Sequence, residues 1–69
     1  MKYEITIVTV GEFDNKNYSI FVTLPLGTWL RIKEQLNNEN IRFIEIKQEE
    51  NDYYIRKDKI VAIKVKQLG

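Results

Sequence analysis

Sixty-nine residues with 11 Lys+Arg against 10 Asp+Glu, a formal charge of +1, and neither His nor Cys leave few groups available for chemistry. A chain this short folds as one domain, 1–69, whose core buries only about 60% of the unfolded surface, and at 43% hydrophobic and 30% charged it is globular in composition and not disordered. The missing residue types exclude disulfides, thiolate nucleophiles and iron–sulfur or zinc–thiolate sites, together with the usual neutral-pH proton shuttle and the commonest transition-metal ligand.

From Tyr3 to Phe13 the chain is rich in Ile, Val, Thr and aromatics, which predicts a strand. Asp14-Asn15-Lys16-Asn17 reads as a turn. Tyr18 to Leu24 alternates cleanly, with Tyr18, Ile20, Val22 and Leu24 on one face and Ser19, Phe21 and Thr23 on the other. Pairing Phe13 with Tyr18 across the turn makes opposite residue numbers add to 31. Ile7 then faces Leu24, Thr9 faces Val22 and Gly11 faces Ile20 on the core side. On the reverse side Val10 faces Phe21 and Val8 faces Thr23, where solvent normally favours charges.

Pro25-Leu26-Gly27-Thr28 breaks the strand, with Gly27 turning the chain and Thr28 placed to cap a helix from about Trp29 to Asn38. At 100° per residue Leu26, Trp29, Leu30, Ile32 and Leu36 fall within an arc of about 160°, whereas Arg31, Glu34 and Gln35 point away. Asn37-Asn38-Glu39-Asn40 ends the helix with poor helix formers. A strand from Ile41 to Lys47, a polar turn at Glu49-Glu50-Asn51-Asp52 and a strand from Tyr53 to Arg56 follow. With Gln48 opposite Tyr53, Ile46 faces Ile55 in the core and Glu45 faces Arg56 outside. Lys57-Asp58-Lys59 leads into Ile60 to Lys66, where Val61, Ile63 and Val65 alternate with Ala62, Lys64 and Lys66. A plain two-residue turn would face Ile60 with Ile55 and leave those valines and Ile63 on the wrong side, so a bulge or sharp bend is expected.

The order strand, strand, helix, strand, strand, strand predicts an α+β domain with a small antiparallel sheet of four to five strands packed against one helix. The alternative is a small, partly open β-barrel with one helix, closed by the final strand. The layout from Tyr18 to Val65, with its Tyr54-Ile55-Arg56-Lys57-Asp58-Lys59-Ile60-Val61 stretch, resembles small uncharacterised proteins of low-GC Gram-positive bacteria and their phages. Ile, Lys and Asn make up 24 residues of the 69, against one Ala and one Pro, a skew that an AT-rich genome also produces. The resemblance implies no activity and assigns no residue a role.

Acid and base candidates are limited to carboxylates: Asp14, Glu49, Glu50 and Asp52 in turns, and Glu4, Glu12 and Glu45 on strands. Catalytic carboxylates need burial or a like-charged neighbour to move towards neutrality, and turn residues stay solvated. Glu49-Glu50-Asn51-Asp52 lacks the glycine and spacing of an EF-hand. Gly11, Gly27 and Gly69 are isolated and make no phosphate loop, and Ser19 and Thr28 have no His partner. No catalytic residue, metal or cofactor is expected, and the chain is read as not an enzyme.

Two surfaces carry the binding expectations. Residues 53–69 hold Arg56, Lys57, Lys59, Lys64 and Lys66 against Asp58 alone, with Tyr53 and Tyr54 at their start. Tyr54, Arg56, Lys57, Lys59, Lys64 and Lys66 are therefore the candidate nucleic-acid contacts, since cations beside aromatics hold phosphates and stack bases. The competing reading is an edge strand whose lysines block sheet-to-sheet aggregation. Trp29 belongs to the helix face that packs. Val8, Val10 and Phe21 form the other candidate, a protein interface on the reverse of the first hairpin. The leading expectation is a non-enzymatic accessory or regulatory domain, of phage or mobile-element type acting on host machinery, that binds another protein or itself as a homodimer. The runner-up is a small nucleic-acid-binding regulator. Met1-Lys2-Tyr3-Glu4-Ile5-Thr6 shows no signal peptide and no apolar run approaches membrane-spanning length, so a cytoplasmic protein without membrane partners is expected.

Overall fold

The computed structural model describes residues 1–48 and 50–68; Glu49, one of the turn carboxylates above, and Gly69 lie outside the described residues. In chain order the elements are β1 (Lys2–Val10), β2 (Asn17–Pro25), α1 (Leu26–Asn37), β3 (Phe43–Lys47), β4 (Asp52–Arg56), a 3-10 turn at Lys57–Lys59, and β5 (Ile60–Leu68). The α+β class and the element order are as expected. The five strands divide, however, into a three-stranded antiparallel sheet, β2-β1-β5, and a separate hairpin, β3-β4.

β5 neither crosses the reverse face of the first hairpin nor closes a barrel, which corrects the alternative fold. It lies alongside β1, with Ile63 opposite Ile7 and Val65 opposite Ile5. The expected irregularity is present in two forms. The 3-10 turn at Lys57–Lys59 carries the chain from one sheet to the other, and the β1–β5 register shifts so that Thr9 faces Ile60 and Val8 faces Ala62. Val61 is the extra residue of that bulge, which restores Ile63 and Val65 to the core-facing side.

Both hairpins keep the expected faces in a different register. In the first, opposite numbers add to 27: Ile5 faces Val22, Ile7 faces Ile20 and Tyr3 faces Leu24. Residues 11–16 form the loop, longer than the four-residue turn expected. It is pinned by the Asp14 carboxylate, which accepts from the Tyr18 hydroxyl and from Lys16 N–H, by Gly11 N–H donating to Lys16 C=O, and by Asn15 at φ 56°. Gly11 therefore lies in the loop and not beside Ile20, and a Cβ there would collide with the Asp14 carboxylate. In the second hairpin Ile44 faces Ile55 and Ile46 faces Tyr53. Glu45 consequently faces Tyr54, and the expected Glu45–Arg56 pair does not form.

The helix begins three residues before the expected start. Pro25, extended at φ −70° and ψ 161°, is both the last residue of β2 and the N-cap; Thr28 is inside the helix and gives no side-chain cap. Proline's fixed φ ends the strand while its missing N–H leaves no donor unpaired there. Gly27 is likewise helical, with open space around it. Ile32 is the buried helical residue, with Trp29 and Leu36 packed beside it; Leu26 and Leu30, assigned to the packing arc, lie outside the core and are 39% and 47% exposed.

Gln35, expected to point away, bridges to the second hairpin instead. Its Oε1 accepts from Glu45 N–H at 2.8 Å and its Nε2 donates to Glu45 C=O at 3.4 Å, so the side-chain amide pairs with β3 as a neighbouring peptide would. The core is Ile5, Ile7, Val22, Leu24, Ile32, Ile44, Ile46 and Ile55, and no polar side chain is buried among the described residues. It lies between one face of β2-β1-β5 and the layer formed by α1 and the β3-β4 hairpin. No helix is long and apolar enough to cross a membrane.

Candidate binding surface

With every core residue on one side of the three-stranded sheet, alternation sends the intervening side chains to the opposite face. Three strands supply that face in rows. Phe21, Thr6 and Lys64 form one row; Ser19, Val8 and Ala62 the next; Thr23, Glu4 and Lys66 the row on the other side. Phe21 is 69% exposed, whereas Val8 and Val10 are half-buried by their neighbours.

The register moves Phe21 away from one of its expected companions. It stands opposite Thr6 and diagonal to Val8, while Val10 is opposite Asn17, four residues or about 13 Å further along the strand. The three candidate interface residues share a face, but only Phe21 and Val8 are neighbours. Lys64 and Lys66, drawn from the nucleic-acid candidates, lie on this same face across β1, and neither forms an ion pair among the described residues.

The other four basic-end candidates are elsewhere. Tyr54, 63% exposed, is on the outer side of the β3-β4 hairpin opposite Glu45. Arg56 is held between two carboxylates, Nη1 at 2.6 Å from Glu12 and Nη2 at 2.8 Å from Asp58. Lys57 donates through Nζ to the carbonyls of Gln35 at 2.7 Å and Asn38 at 2.8 Å, capping the C-terminus of α1 where the helix dipole favours a cation. Lys59 is half-buried in the 3-10 turn. The local charge that made residues 53–69 suggestive is thus partly committed to structure, and the six candidates do not form one surface.

Among the described residues no carboxylate is buried. Asp14 is held below the ordinary carboxylate range by the Tyr18 hydroxyl first and by Lys16 N–H second, and the same bond raises the Tyr18 phenol. Glu45 stands 3.3 Å from Lys47, raising that ammonium. Among the described residues no group of three Asp or Glu could hold a metal ion. An open groove of about 570 Å³ by the helix C-terminus is lined by Ile41, Arg42, Phe43, Arg56 and Lys57, and of its three cations Arg56 and Lys57 are already paired.

One exposed aromatic escaped the sequence reading. Phe13, assigned to a strand pair with Tyr18, projects from the hairpin tip at 98% exposure. The signal was Gly11 ahead of it and Asn15 behind it, two residues suited to loop backbone. No family model matches the chain, and neither does any curated protein or solved structure.

Proposed function

We propose that the chain is a non-enzymatic binding domain that self-associates through the Phe21 side of its three-stranded sheet. The supporting observation is Phe21 itself: a phenyl ring 69% exposed on a sheet face that no helix or strand of the described chain covers, while the opposite face carries the whole core. Exposed aromatic surface on a rigid sheet favours a partner. A small domain with no disulfide or metal staple also gains stability from association.

Light scattering and sedimentation at micromolar concentration test the reading. A dimeric parent and a folded monomeric Phe21→Glu variant support it, and a monomeric parent refutes it. Lys64 in the same row as Phe21 favours a second reading, nucleic-acid binding on this face, but Glu4 lies beside Lys66 and the four other candidates are elsewhere. Micromolar binding to nucleic acid at physiological salt, lost on neutralising Lys64 and Lys66, would reverse the order of the two readings.

A further inference from the structure

The two free edges of the sheet β2-β1-β5 differ in their defences. Along β5, Lys64 and Lys66 interrupt the apolar residues and the bulge at Val61 bends the strand, both of which discourage pairing with another chain. Along β2 the nine residues Asn17–Pro25 carry no charge at all. Among the described residues β1 is the sole strand bonded to β2, and no loop backbone hydrogen-bonds its outer side.

The hairpin shows which backbone groups face outward. Gly11 N–H donates to Lys16 C=O at 2.9 Å, and these two residues continue the β1–β2 register. Bonded and non-bonded pairs alternate in an antiparallel ladder, so Tyr18, Ile20, Val22 and Leu24 turn their N–H and C=O towards β1. The Thr9 hydroxyl, which donates to Tyr18 C=O at 3.5 Å, agrees. Ser19, Phe21 and Thr23 therefore present one N–H and one C=O each at the open edge.

The geometry points to antiparallel pairing of β2 with β2 of a second copy, Phe21 opposite Phe21, about a two-fold axis perpendicular to the sheet. This rests on the self-association reading and moves its contact from the Phe21 face to the strand edge beside it: two three-stranded sheets join edge to edge into one of six strands. Phe21 is the middle residue of the nine, so this register uses the full strand. Its outward groups are also those that a bonded pair centred on Phe21 requires. Ser19 then faces Thr23 of the partner subunit, two small hydroxyl side chains, and half-buried Ile20 faces Val22 of the partner subunit, so the core layers become continuous. Pro25, which has no N–H to give, falls where the ladder ends. The same operation centred on Val65 of β5 would set Lys64 against Lys66 of the partner subunit, like charges directly opposite.

Amide exchange of the unmodified protein, followed residue by residue at low and high concentration, tests this. The amides of Tyr18, Ile20 and Val22 are protected at both concentrations, and those of Ser19, Phe21 and Thr23 become protected in step with association. A dimer in which these three remain fast-exchanging overturns edge pairing while leaving self-association standing; a monomer at every concentration overturns both. A charge exchange checks the register: Ser19→Lys with Thr23→Lys abolishes the dimer, and Ser19→Glu with Thr23→Lys restores it, because each glutamate then faces a lysine of the partner subunit. Loss of the dimer in both variants, with each folded by circular dichroism, refutes the register.

Discussion

Replacing Ile32 with alanine probes the contact that joins the helix to both sheets. The side chain is 1% exposed and belongs to the one buried cluster. Removing three carbons forfeits about 0.8 kcal/mol each in transfer free energy, about 2.4 in all. The residual cavity adds to this, and the whole lies within the roughly 2–5 kcal/mol seen for such truncations, so we expect about 3–4. A domain of 69 residues has a total stability of roughly 3.5–10 kcal/mol at 0.05–0.15 per residue. The variant therefore loses a large share of its stability, and its melting temperature falls by roughly 12–30 °C. Leu30→Ala, on the same helix but 47% exposed, costs under about 1 kcal/mol and serves as the control. Urea titration read by fluorescence of Trp29, the single tryptophan, gives both values with the slope compared between variants. Costs for Ile32→Ala and Leu30→Ala within about 0.5 kcal/mol of one another would refute the docking of α1 through Ile32.

Two further outcomes follow from polar contacts. Gln35→Leu removes the amide that pairs with Glu45 and leaves a strand N–H and C=O without their partner; the cost is about 1–2 kcal/mol. Faster exchange of the Glu45 amide reports it, and an unchanged rate would count against the bridge. For the loop, the depressed Asp14 carboxyl stabilises the fold above its ordinary 3.8, and the contribution is lost as pH falls through the lower folded value. The raised Tyr18 phenol contributes below 10.0 and loses that contribution as pH rises through its folded value. In an NMR titration Asp14 of the parent titrates below 3.8 and moves back towards it in Tyr18→Phe; a parent value at or above 3.8 contradicts the pinned loop.

Alternation made faces legible but not registers. The first hairpin differs from its expected pairing by four in the sum of opposite numbers and the second by two, from 101 to 99. Both shifts are even, so Ile7, Ile20, Val22, Ile46 and Ile55 stay on the core side and Phe21 on the reverse. What hydrophobic pattern cannot supply is loop length, which here depends on Asp14 bonding to Tyr18 and on the left-handed backbone of Asn15. The candidate surface suffered in the same way: Phe21 was found, but its neighbour is Thr6 and not Val10. The basic end dispersed for a different reason. Lys57 is consumed by a helix terminus and Arg56 by Glu12, contacts between residues far apart in sequence that composition does not reveal, and Arg56 is held as well by its near neighbour Asp58.

The central position of β1 has a consequence for how the chain acquires its fold. Its β2 neighbour lies one short loop away, but its β5 neighbour becomes available only after the helix and the second hairpin have been traversed. Closing that long loop costs chain entropy before any β1–β5 contact repays it, so the domain belongs with slower, topology-limited folders despite its size. Until β5 arrives, β1 exposes a nine-residue edge containing Ile5, Ile7, Val8 and Val10. That interval, more than the finished surface, is when the chain is most open to misassociation.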